Sequence, residues 1–591
     1  MRRAFSDRRG QYLIRLSIFL LIAILVTGMA GCTVQPVQYS LTIYSTEGGT
    51  VTNPSTGRSV YDKGTVVNLT ARANESYAFD KWTGDVGQIA DINAADTTIV
   101  MNGNYRITAN FVRQYYTLTI SSSPGGNVTT PGEGTFTYTG GTLVELVAVA
   151  DDGYQFASWT DGPSLPIADA LAATTTIVMD LDYSITANFA VPTPVQDWYD
   201  LNTVRNSPEG LYTLMNDLNS TTAGYDDLAG PAANGGKGWQ PIGSFAGVFR
   251  GGGYNIGDLS INYPQESSAS LFGSIGGGIT NLGVINATVT GHYSAAALAG
   301  YSGGTVTNCY SVSNVNGSEN IGGLIGSNYG TVTNCYSVSN VNGSEHVGGL
   351  VGENGGTVTN CHSVSDVNGD EAVGGLVGWN YATVTSCSAS GSASSSHDYV
   401  GGLIGDNYGT VSGCHATGTA AGSYAGGLVG FNFGGYVTGV VTNCYSTGNV
   451  TSTAYAGGLI GYNYKSMVSS CYSTGSVTGG LFAAGGLIGE NSYSGVTSCY
   501  STGAVTGQTA GGLVGENYFA LVTSSFWDTE TSGQATSDGG TGRTTAEMQD
   551  ITTFSAATWD IIGVADPDIR NPAYIWNIVD GVTYPFLSWQ S

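Results

Sequence analysis

The amino-acid sequence predicts an all-β protein in which a parallel β-helix solenoid of about nine coils follows two small β-rich domains. Eight cysteines recur at intervals of 26 to 30 residues, from Cys309 to Cys499, each within a phrase rich in glycine and valine. Two stretches nearer the N-terminus repeat each other at an offset of 77 to 78 residues. Because repeats of this length without helical spacing are typical of stacked strands, the larger array is predicted to be a solenoid.

The composition excludes several classes of function. Only 10% of the 591 residues are charged, yet the formal net charge is −26. Such a chain lacks the clustered lysine and arginine that nucleic-acid backbones require, so no nucleic-acid partner is expected. Glycine is abundant, at 90 residues, but Val, Leu, Ile and Tyr return at fixed spacing and can bury a core. The bias therefore indicates a repeat fold rather than disorder.

Residues 1–31 have the pattern of an export signal. Five arginines precede an apolar run from Leu16 to Val26, which is too short to span a bilayer comfortably. The stretch Gly28-Met29-Ala30-Gly31-Cys32 resembles a bacterial lipobox, although Met29 stands where leucine is usual. The resemblance implies a lipoprotein whose Cys32 is lipidated and holds the protein on a membrane, in the cell envelope. An ordinary cleaved signal and a retained membrane anchor are the alternatives. Residues 32–38 are a linker.

Residues 39–113 and 115–190 are the duplicated pair. Trp82 corresponds to Trp159, and each copy alternates apolar and polar residues between Gly, Asn and Pro turns, which predicts short antiparallel strands. The tryptophan either fills the core of the domain or binds a sugar at the surface. One tryptophan per copy, always at the same position, favours the core role. The copies resemble the bacterial repeat domain related to divergent internalin-type B-repeats, which implies a spacer or adhesion module of surface proteins. Residues 191–196 are predicted to be a stiff linker.

Residues 266–527 carry the cysteine repeat. Each copy contains Val-Thr-x-Cys-Tyr-Ser and then Gly-Gly-Leu-(Val/Ile)-Gly-x-Asn, so about 26 residues supply three short strands and three corners. The glycines allow positive φ or close backbone approach. One asparagine per copy falls in a column whose amides are expected to bond from coil to coil. At about 4.8 Å per coil, the array is on the order of 45 Å long.

This phrase closely resembles the GLUG motif, for example in Gly323-Leu324-Ile325-Gly326. That family occurs in bacterial surface proteins, including the non-catalytic part of some secreted proteases. Residues 197–265 are predicted to be an N-terminal cap with the first coils, and residues 528–591 a C-terminal cap. A solenoid needs such caps because an open edge would pair with other chains.

The cysteine column has two interpretations. In an exported chain, eight cysteines suggest disulfides. One cysteine per copy is better explained as a structural ladder of small buried side chains. No Cys-x-x-Cys pair supports a metal site. Strict alternation puts Val306 and Cys309 on opposite faces, so a corner or bulge between them is expected. The column is Cys309, Cys335, Cys361, Cys387, Cys414, Cys444, Cys471 and Cys499.

The sequence contains no recognisable catalytic motif. None of the five histidines forms a ligand pair, and neither a phosphate-binding loop nor a nucleophile elbow is present. Glu319, Glu345 and Glu371, with Asp370 beside the last, are predicted to stack on neighbouring coils. Because like charges directly opposite repel, these side chains either extend into water or hold a cation such as calcium. A catalytic role is the least favoured alternative, and no other cofactor is expected.

Two aromatic columns are the candidate ligand-binding residues. Facing outward, either column would suit a glycan or a protein, and facing inward it would be core. The first contains Tyr310, Tyr336, Tyr445, Tyr472 and Tyr500, with His362, His415 and Phe526 at equivalent positions. The second contains Tyr329, Tyr381, Tyr408, Tyr464 and Tyr518, with Phe433.

These observations favour a non-enzymatic, lipid-anchored surface protein that uses the side of its β-helix for adhesion to glycan or protein ligands. An extracellular carbohydrate-active enzyme, either lyase or hydrolase, is the rival hypothesis. A purely structural surface spacer is the third.

Overall fold

The computed structural model describes residues 37–160, 167–435 and 439–590. The predicted signal peptide and Cys32 lie outside the described residues. The chain divides into two compact units. The first contains the N-terminal repeats apart from residues 150–158, and the second contains those residues together with everything from Phe189 onwards.

Each N-terminal repeat has a four-stranded sheet and a three-stranded sheet. The first and last strands of a repeat pair in parallel, for example Ile43 with Ile107, whereas the other pairings are antiparallel. Trp82 and Trp159 are buried and donate to the carbonyls of Ala94 and Ala172, which confirms their core role. The strands are Gln38–Ser45, Gly49–Asn53, Gly57–Asp62, Val66–Ala73, Tyr77–Gly84, Asp96–Val100 and Tyr105–Arg113, and then Tyr115–Ser122, Gly126–Thr130, Gly134–Thr139, Leu143–Ala150, Gln155–Thr160, Thr174–Val178 and Tyr183–Ala190.

The cysteine repeat forms the predicted parallel β-helix, with about ten turns. Its first sheet consists of Thr193–Val195, Leu211–Leu214, Val248–Arg250, Gly278–Thr280, Thr305–Thr307, Thr331–Thr333, Thr357–Thr359, Thr383–Thr385, Thr410–Ser412, Val440–Thr442, Met467–Ser469, Gly495–Thr497 and Leu521–Thr523. Its second sheet consists of Ile242–Phe245, Phe272–Ile275, Ala299–Ser302, Ile325–Asn328, Val351–Asn354, Val377–Asn380, Ile404–Asn407, Val429–Phe433, Ile460–Tyr464, Ile488–Ser492 and Val514–Tyr518.

The third sheet has 26 short strands, from Asn255–Gly257 to Thr541–Arg543. Most coils contribute two or three of them, as in Tyr336–Ser337, Asn340–Asn342 and Glu345–Gly348. The pairing is in register from coil to coil, so Val332 lies between Val306 and Val358. Equivalent positions in the repeat therefore become straight columns along the axis.

The corner expected between Val306 and Cys309 lies at Asn308. The residue before each column cysteine has a left-handed backbone, with φ of 53° at Asn308 and 62° at Gly413. Asn and Gly, which tolerate that conformation best, hold five of the eight positions, and Ser holds the other three. The glycines of the Gly-Gly-Leu phrase serve a different purpose: a Cβ on Gly323 would lie 2.2 Å from the carbonyl oxygen of Gly349 in the next coil. Neighbouring coils can approach only where that carbon is missing.

The asparagine column forms the expected amide ladder inside the coil. Each Nδ2 donates to the Oδ1 of the next coil at 2.7–2.8 Å, from Asn328 through Asn517. Four of the eight amides, from Asn328 to Asn407, also bond to the turn two residues later, as Asn354 does with Gly356. The ladder is Asn328, Asn354, Asn380, Asn407, Asn432, Asn463, Asn491 and Asn517.

The eight column cysteines are free and buried. The Cys309 amide donates to the Cys335 sulfur at 3.4 Å, and the Cys335 thiol donates to the Thr333 carbonyl at 3.3 Å. Burial raises the pKa of the Cys335 thiol, which keeps it protonated. The thiols therefore occupy the coil interior as small hydrogen-bonded side chains.

Both ends of the coil are covered. At the N-terminal end, Trp198 and Trp239 pack together over the first coils, 5.8 Å apart. At the C-terminal end, the Ser537 hydroxyl accepts from the amides of Leu513 and Val514. Residues 544–590 turn back along the side of the β-helix. The helices are Trp198–Thr203, Tyr225–Leu228, Ala233–Gly236, Thr529–Ser532, Thr545–Met548 and Ile551–Ser555, with a 3-10 turn at Val204–Asn206; the last strands are Ile561–Gly563, Trp576–Ile578 and Phe586–Leu587.

Candidate functional site

The first aromatic column lies on the outside of the third sheet. Its rings stack nearly parallel, with centroids 4.7 Å apart for Tyr310 and Tyr336 and 5.0 Å apart for Tyr472 and Tyr500. The serine that follows each tyrosine, such as Ser337, is fully buried. The alternation of the strand therefore directs the rings outward.

The C-terminal half of this column is covered by the chain itself. Tyr445, Tyr472, Tyr500 and Phe526 form one buried cluster with Met548, Phe554, Trp559, Trp576, Ile578 and Leu587. The Tyr500 hydroxyl donates to the Pro585 carbonyl at 2.6 Å. Tyr445, Tyr472 and Tyr500, which the sequence nominates as ligand-binding residues, are thus occupied by residues 544–590. Tyr310 and Tyr336 remain half-exposed.

The second column belongs to a larger surface, here called the aromatic face, between the second and third sheets. Three neighbouring columns contribute rings on several successive coils, and Asp406 interrupts the central one. The aromatic face consists of Trp379, Tyr381, Tyr399, Tyr408, Tyr424, Phe431, Phe433, Tyr455, Tyr462 and Tyr464. Tyr329 and Tyr518 continue the second column beyond Gly355 and Ser492, and both are exposed.

Rings of the aromatic face contact one another along and across the axis. Tyr399 lies 4.7 Å from Phe431 between columns, and Phe431 lies 5.1 Å from Tyr462 along one column. Within a column, stacking covers much of each ring face, so edges and phenol hydroxyls point towards solvent. Aromatic edges carry partial positive charge and attract oxygen acceptors. The face therefore offers apolar area, hydroxyl groups and electropositive edges together.

Carboxyl groups and aromatic rings occupy the same central column. The position before each ladder asparagine is occupied in turn by Glu353, Trp379, Asp406, Phe431, Tyr462, Glu490 and Glu516. In the described part of the chain, none of these four carboxylates is in an ion pair. The central column therefore carries carboxyl groups among its rings without a basic partner.

Asp406 is the most unusual of these groups. It is only 7% exposed, and its Oδ1 has no hydrogen-bond partner. Burial raises the pKa of this carboxyl well above its usual range; Tyr408 lowers it, and Glu371 and Asp398 add to the rise. The Nε1 of Trp379, its neighbour in the adjacent coil, is likewise buried without an acceptor. A donor and an acceptor without partners therefore occupy adjacent coils.

A polar network fixes the N-terminal end of the aromatic face. Asn320 donates to Glu353 at 2.8 Å and contacts the His346 Nδ1 at 2.7 Å. The His346 ring lies 4.0 Å from Trp379. Burial lowers the pKa of His346 to about 4, so the ring is neutral at neutral pH. The network holds the Trp379 indole against the coil.

The carboxylates proposed for calcium lie elsewhere on the third sheet. Glu319, Glu345 and Glu371 pair in register on successive coils, as expected. Asp370 lies 3.6 Å from His397. In residues 37–160, 167–435 and 439–590, no group of three or more His, Cys, Asp or Glu side chains is arranged to hold a metal ion. The calcium interpretation stays a prediction.

Sequence reasoning missed two of the three columns of the aromatic face. Trp379, Phe431 and Tyr462 each precede a ladder asparagine, and Tyr399, Tyr424 and Tyr455 each lie two residues before the Gly-Gly pair. Aligning the repeats on those two positions reveals both columns. A search confined to the residues that follow the cysteine and the asparagine does not find these columns. Their positions also hold residues that are not aromatic in other coils, so each column is harder to recognise.

These features define the class: a surface β-helix repeat protein with one aromatic side and no recognisable catalytic constellation in its described residues. Two family models match it. Residues 39–114 and 116–192 match the divergent InlB B-repeat domain. Residues 343–368, 369–394, 421–451 and 452–478 match the GLUG motif. The chain thus carries two copies of the first repeat and four matched copies of the second. Both repeats belong to bacterial surface proteins and indicate an extracellular location.

Two solved structures share limited similarity with the chain. One, from Bacteroides ovatus, is described as "a putative immunoglobulin A1 protease"; it is 18% identical, covers 68% of this chain and 93% of its own, and has a TM-score of 0.27. Another, "IgA1 Protease", is 15% identical, covers 65% of this chain and 24% of its own, and has a TM-score of 0.23. Similarity at this level supports no argument about function. No curated protein matches the chain. Within the described ranges, no helix is long and apolar enough to cross a membrane.

Proposed function

We propose that this protein is a non-enzymatic binding protein of the cell surface, and that its β-helix holds an extended glycan along the aromatic face. The observation that supports this most directly is the continuity of that face. Ten rings from three columns contact one another, and Tyr381 remains 40% exposed. A contiguous patch of aromatic rings on the outside of a domain is typical of a binding surface.

The periodicity favours a glycan over a compact ligand. Successive rings lie 5.1–5.6 Å apart along the column from Tyr408 to Tyr464. This step is comparable with the length of one pyranose unit in an extended polysaccharide, so each unit meets an equivalent ring. The carboxylates and phenol hydroxyls supply the acceptors and donors that sugar hydroxyls need.

A glycan array tests the binding role. We expect the full chain to bind extended polysaccharides, and the double substitution Tyr381→Ala with Tyr408→Ala to remove that binding. The matched control is Tyr310→Ala with Tyr336→Ala, which removes two stacked tyrosines from the other column. Equal loss in both variants would argue against the aromatic face. Release of reducing ends from a bound polysaccharide would instead support the carbohydrate-active enzyme.

We also propose that Cys32 is lipidated and anchors the protein, on the strength of the lipobox-like sequence. Metabolic labelling with a fatty-acid analogue tests this in cells. Label is expected on the wild-type chain and is expected to be absent from Cys32→Ser. Label that persists in the variant would place the attachment elsewhere.

A further inference from the structure

The charge of the β-helix restricts which glycans the aromatic face can accept. Residues 266–527 contain eleven acidic residues and one basic residue, Lys465. Glu353, Asp406, Glu490 and Glu516 lie in the central column of the face, and Glu371 and Asp398 interact with Asp406. A uronate or sulfated polymer would be repelled along its whole length.

The same residues form the surroundings that an ammonium group prefers. A carboxyl group that lies among rings is shielded from water, so its attraction for an ammonium group is stronger there than at an exposed site. Around Asp406, Trp379 and Phe431 occupy the adjacent coils and Tyr399 packs against Phe431. A carboxyl group among aromatic rings can neutralise an ammonium group that the rings surround.

The only lysine or arginine among residues 266–527 lies on this face. The Lys465 ammonium lies 5.1 Å from the centroid of the Tyr464 ring. Lys465 covers only the edge of the aromatic face, and none of the four central carboxylates is paired with it. A ligand can supply the positive charge that the central column lacks.

We propose that the aromatic face selects glycans that carry free amino groups, with Asp406 as the carboxylate that receives the ammonium. The inference rests on the proposed function, because it specifies the kind of glycan that the face holds. Asp406 Oδ1 is buried, so an ammonium group reaches it only when neighbouring side chains move. Its lack of a hydrogen-bond partner is the cost that such a ligand removes.

Binding has a proton signature. Burial raises the pKa of Asp406 in the free protein, and an adjacent ammonium favours its ionised form. The groups that interact with it are Tyr381, Tyr399, Tyr408, Glu371 and Asp398. At mildly acidic pH the amine already carries its proton. Uptake of the ligand then transfers the carboxyl proton of Asp406 to solvent, which amounts to release of up to about one proton per site.

The test is isothermal titration of the full chain with oligomers of glucosamine and of N-acetylglucosamine of equal length. These probes share a backbone and differ in the positive charge. We expect the glucosamine oligomer to bind about tenfold more tightly or better, with an affinity that falls as salt is added. Titration in two buffers of different ionisation enthalpy is expected to show proton release.

Asp406→Asn tests the named residue. Asparagine is a near-isosteric replacement for aspartate, and the thermal unfolding of the variant checks that the fold is kept. We expect this variant to lose both the preference for the amine and the proton release. The control, Asp366→Asn, removes an exposed carboxylate from another column of the third sheet and is expected to keep both.

The outcomes separate the two proposals. Equal binding of the acetylated oligomer would overturn the amine selection and leave the glycan-binding function standing. Tighter binding of polygalacturonate would overturn the selection as well. Oligolysine that binds as tightly as the glucosamine oligomer would assign the site to cationic peptides rather than amino sugars. Failure of every glycan to bind would overturn the proposed function itself.

Discussion

Replacing Asn407 with leucine tests whether the amide ladder stabilises the β-helix. The Asn407 side chain accepts from Asn380 at 2.7 Å, donates to Asn432 at 2.8 Å, and makes two bonds to Gly409. Losing four net hydrogen bonds at about 1 kcal/mol each, offset by about 1 kcal/mol from the buried leucine, gives a destabilisation of about 3 kcal/mol. The leucine leaves the Asn380 amide without its acceptor on the next coil and the Asn432 side-chain oxygen without its donor.

Chemical denaturation followed by circular dichroism measures this loss. Asn340→Leu is the matched control, because Asn340 makes the same kind of amide contact to Asn314, at 2.9 Å, on the exposed surface. We expect its cost to stay below about 0.5 kcal/mol. Since repeat arrays can unfold in parts, the midpoint of each transition is compared rather than one extrapolated value. Equal shifts for both variants would refute the idea that burial gives the ladder its strength.

Three further predictions follow from buried groups. Tyr500→Ala is expected to lower the free energy of unfolding by about 3–5 kcal/mol, because it leaves a cavity between the third sheet and residues 544–590. Tyr310→Ala, at a half-exposed position of the same column, is expected to cost far less, and similar losses would contradict the burial of Tyr500. The eight column cysteines are expected to resist a thiol reagent in the native protein and to react after unfolding, as peptide mass spectrometry would show; rapid native labelling would disprove their burial. The pKa of His346 is lowered from 6.5 to about 4 in the folded protein, so the unfolded chain binds the proton first and stability falls as pH drops from about 6.5 towards 4. His346→Gln is expected to flatten that part of the curve, and an unchanged slope would count against the shift.

The sequence was sufficient for the inside of the coil and insufficient for its outside. Inward positions such as Val332, Cys335 and Asn328 are held to one residue type by packing against equivalent residues above and below. Their periodicity therefore revealed the fold, the columns and the amide ladder. The corner before each cysteine was also predictable, because strict alternation would put Val306 and Cys309 on opposite faces. Its position at Asn308 was not predictable from the sequence.

Outward positions carry no such constraint, which is why the candidate site was only partly recognised. Tyr310 and Tyr500 occupy the same place in the repeat, yet one is half-exposed and the other is buried by residues 544–590. That difference depends on where a non-repeating segment folds, and no spacing within the repeat encodes it. The segment's own apolar residues, such as Phe554 and Trp576, were the available signal.

The separation between inside and outside also explains how one repeated phrase can support a specific function. A coil tolerates Glu353, Trp379 or Asp406 at one outward position because the adjacent asparagine already satisfies the backbone of the turn. Ligand selectivity can therefore change one coil at a time without cost to the fold. The aromatic face runs through successive coils from Trp379 to Tyr464, and Phe482 extends it by stacking on Tyr455 at 5.2 Å. Its length sets the number of sugar units that it can hold. Removing one ring at either end of the face should therefore reduce the binding affinity by the contribution of one sugar unit. A central substitution such as Phe431→Ala divides the face into two short sites, so it should reduce the affinity by more than that contribution.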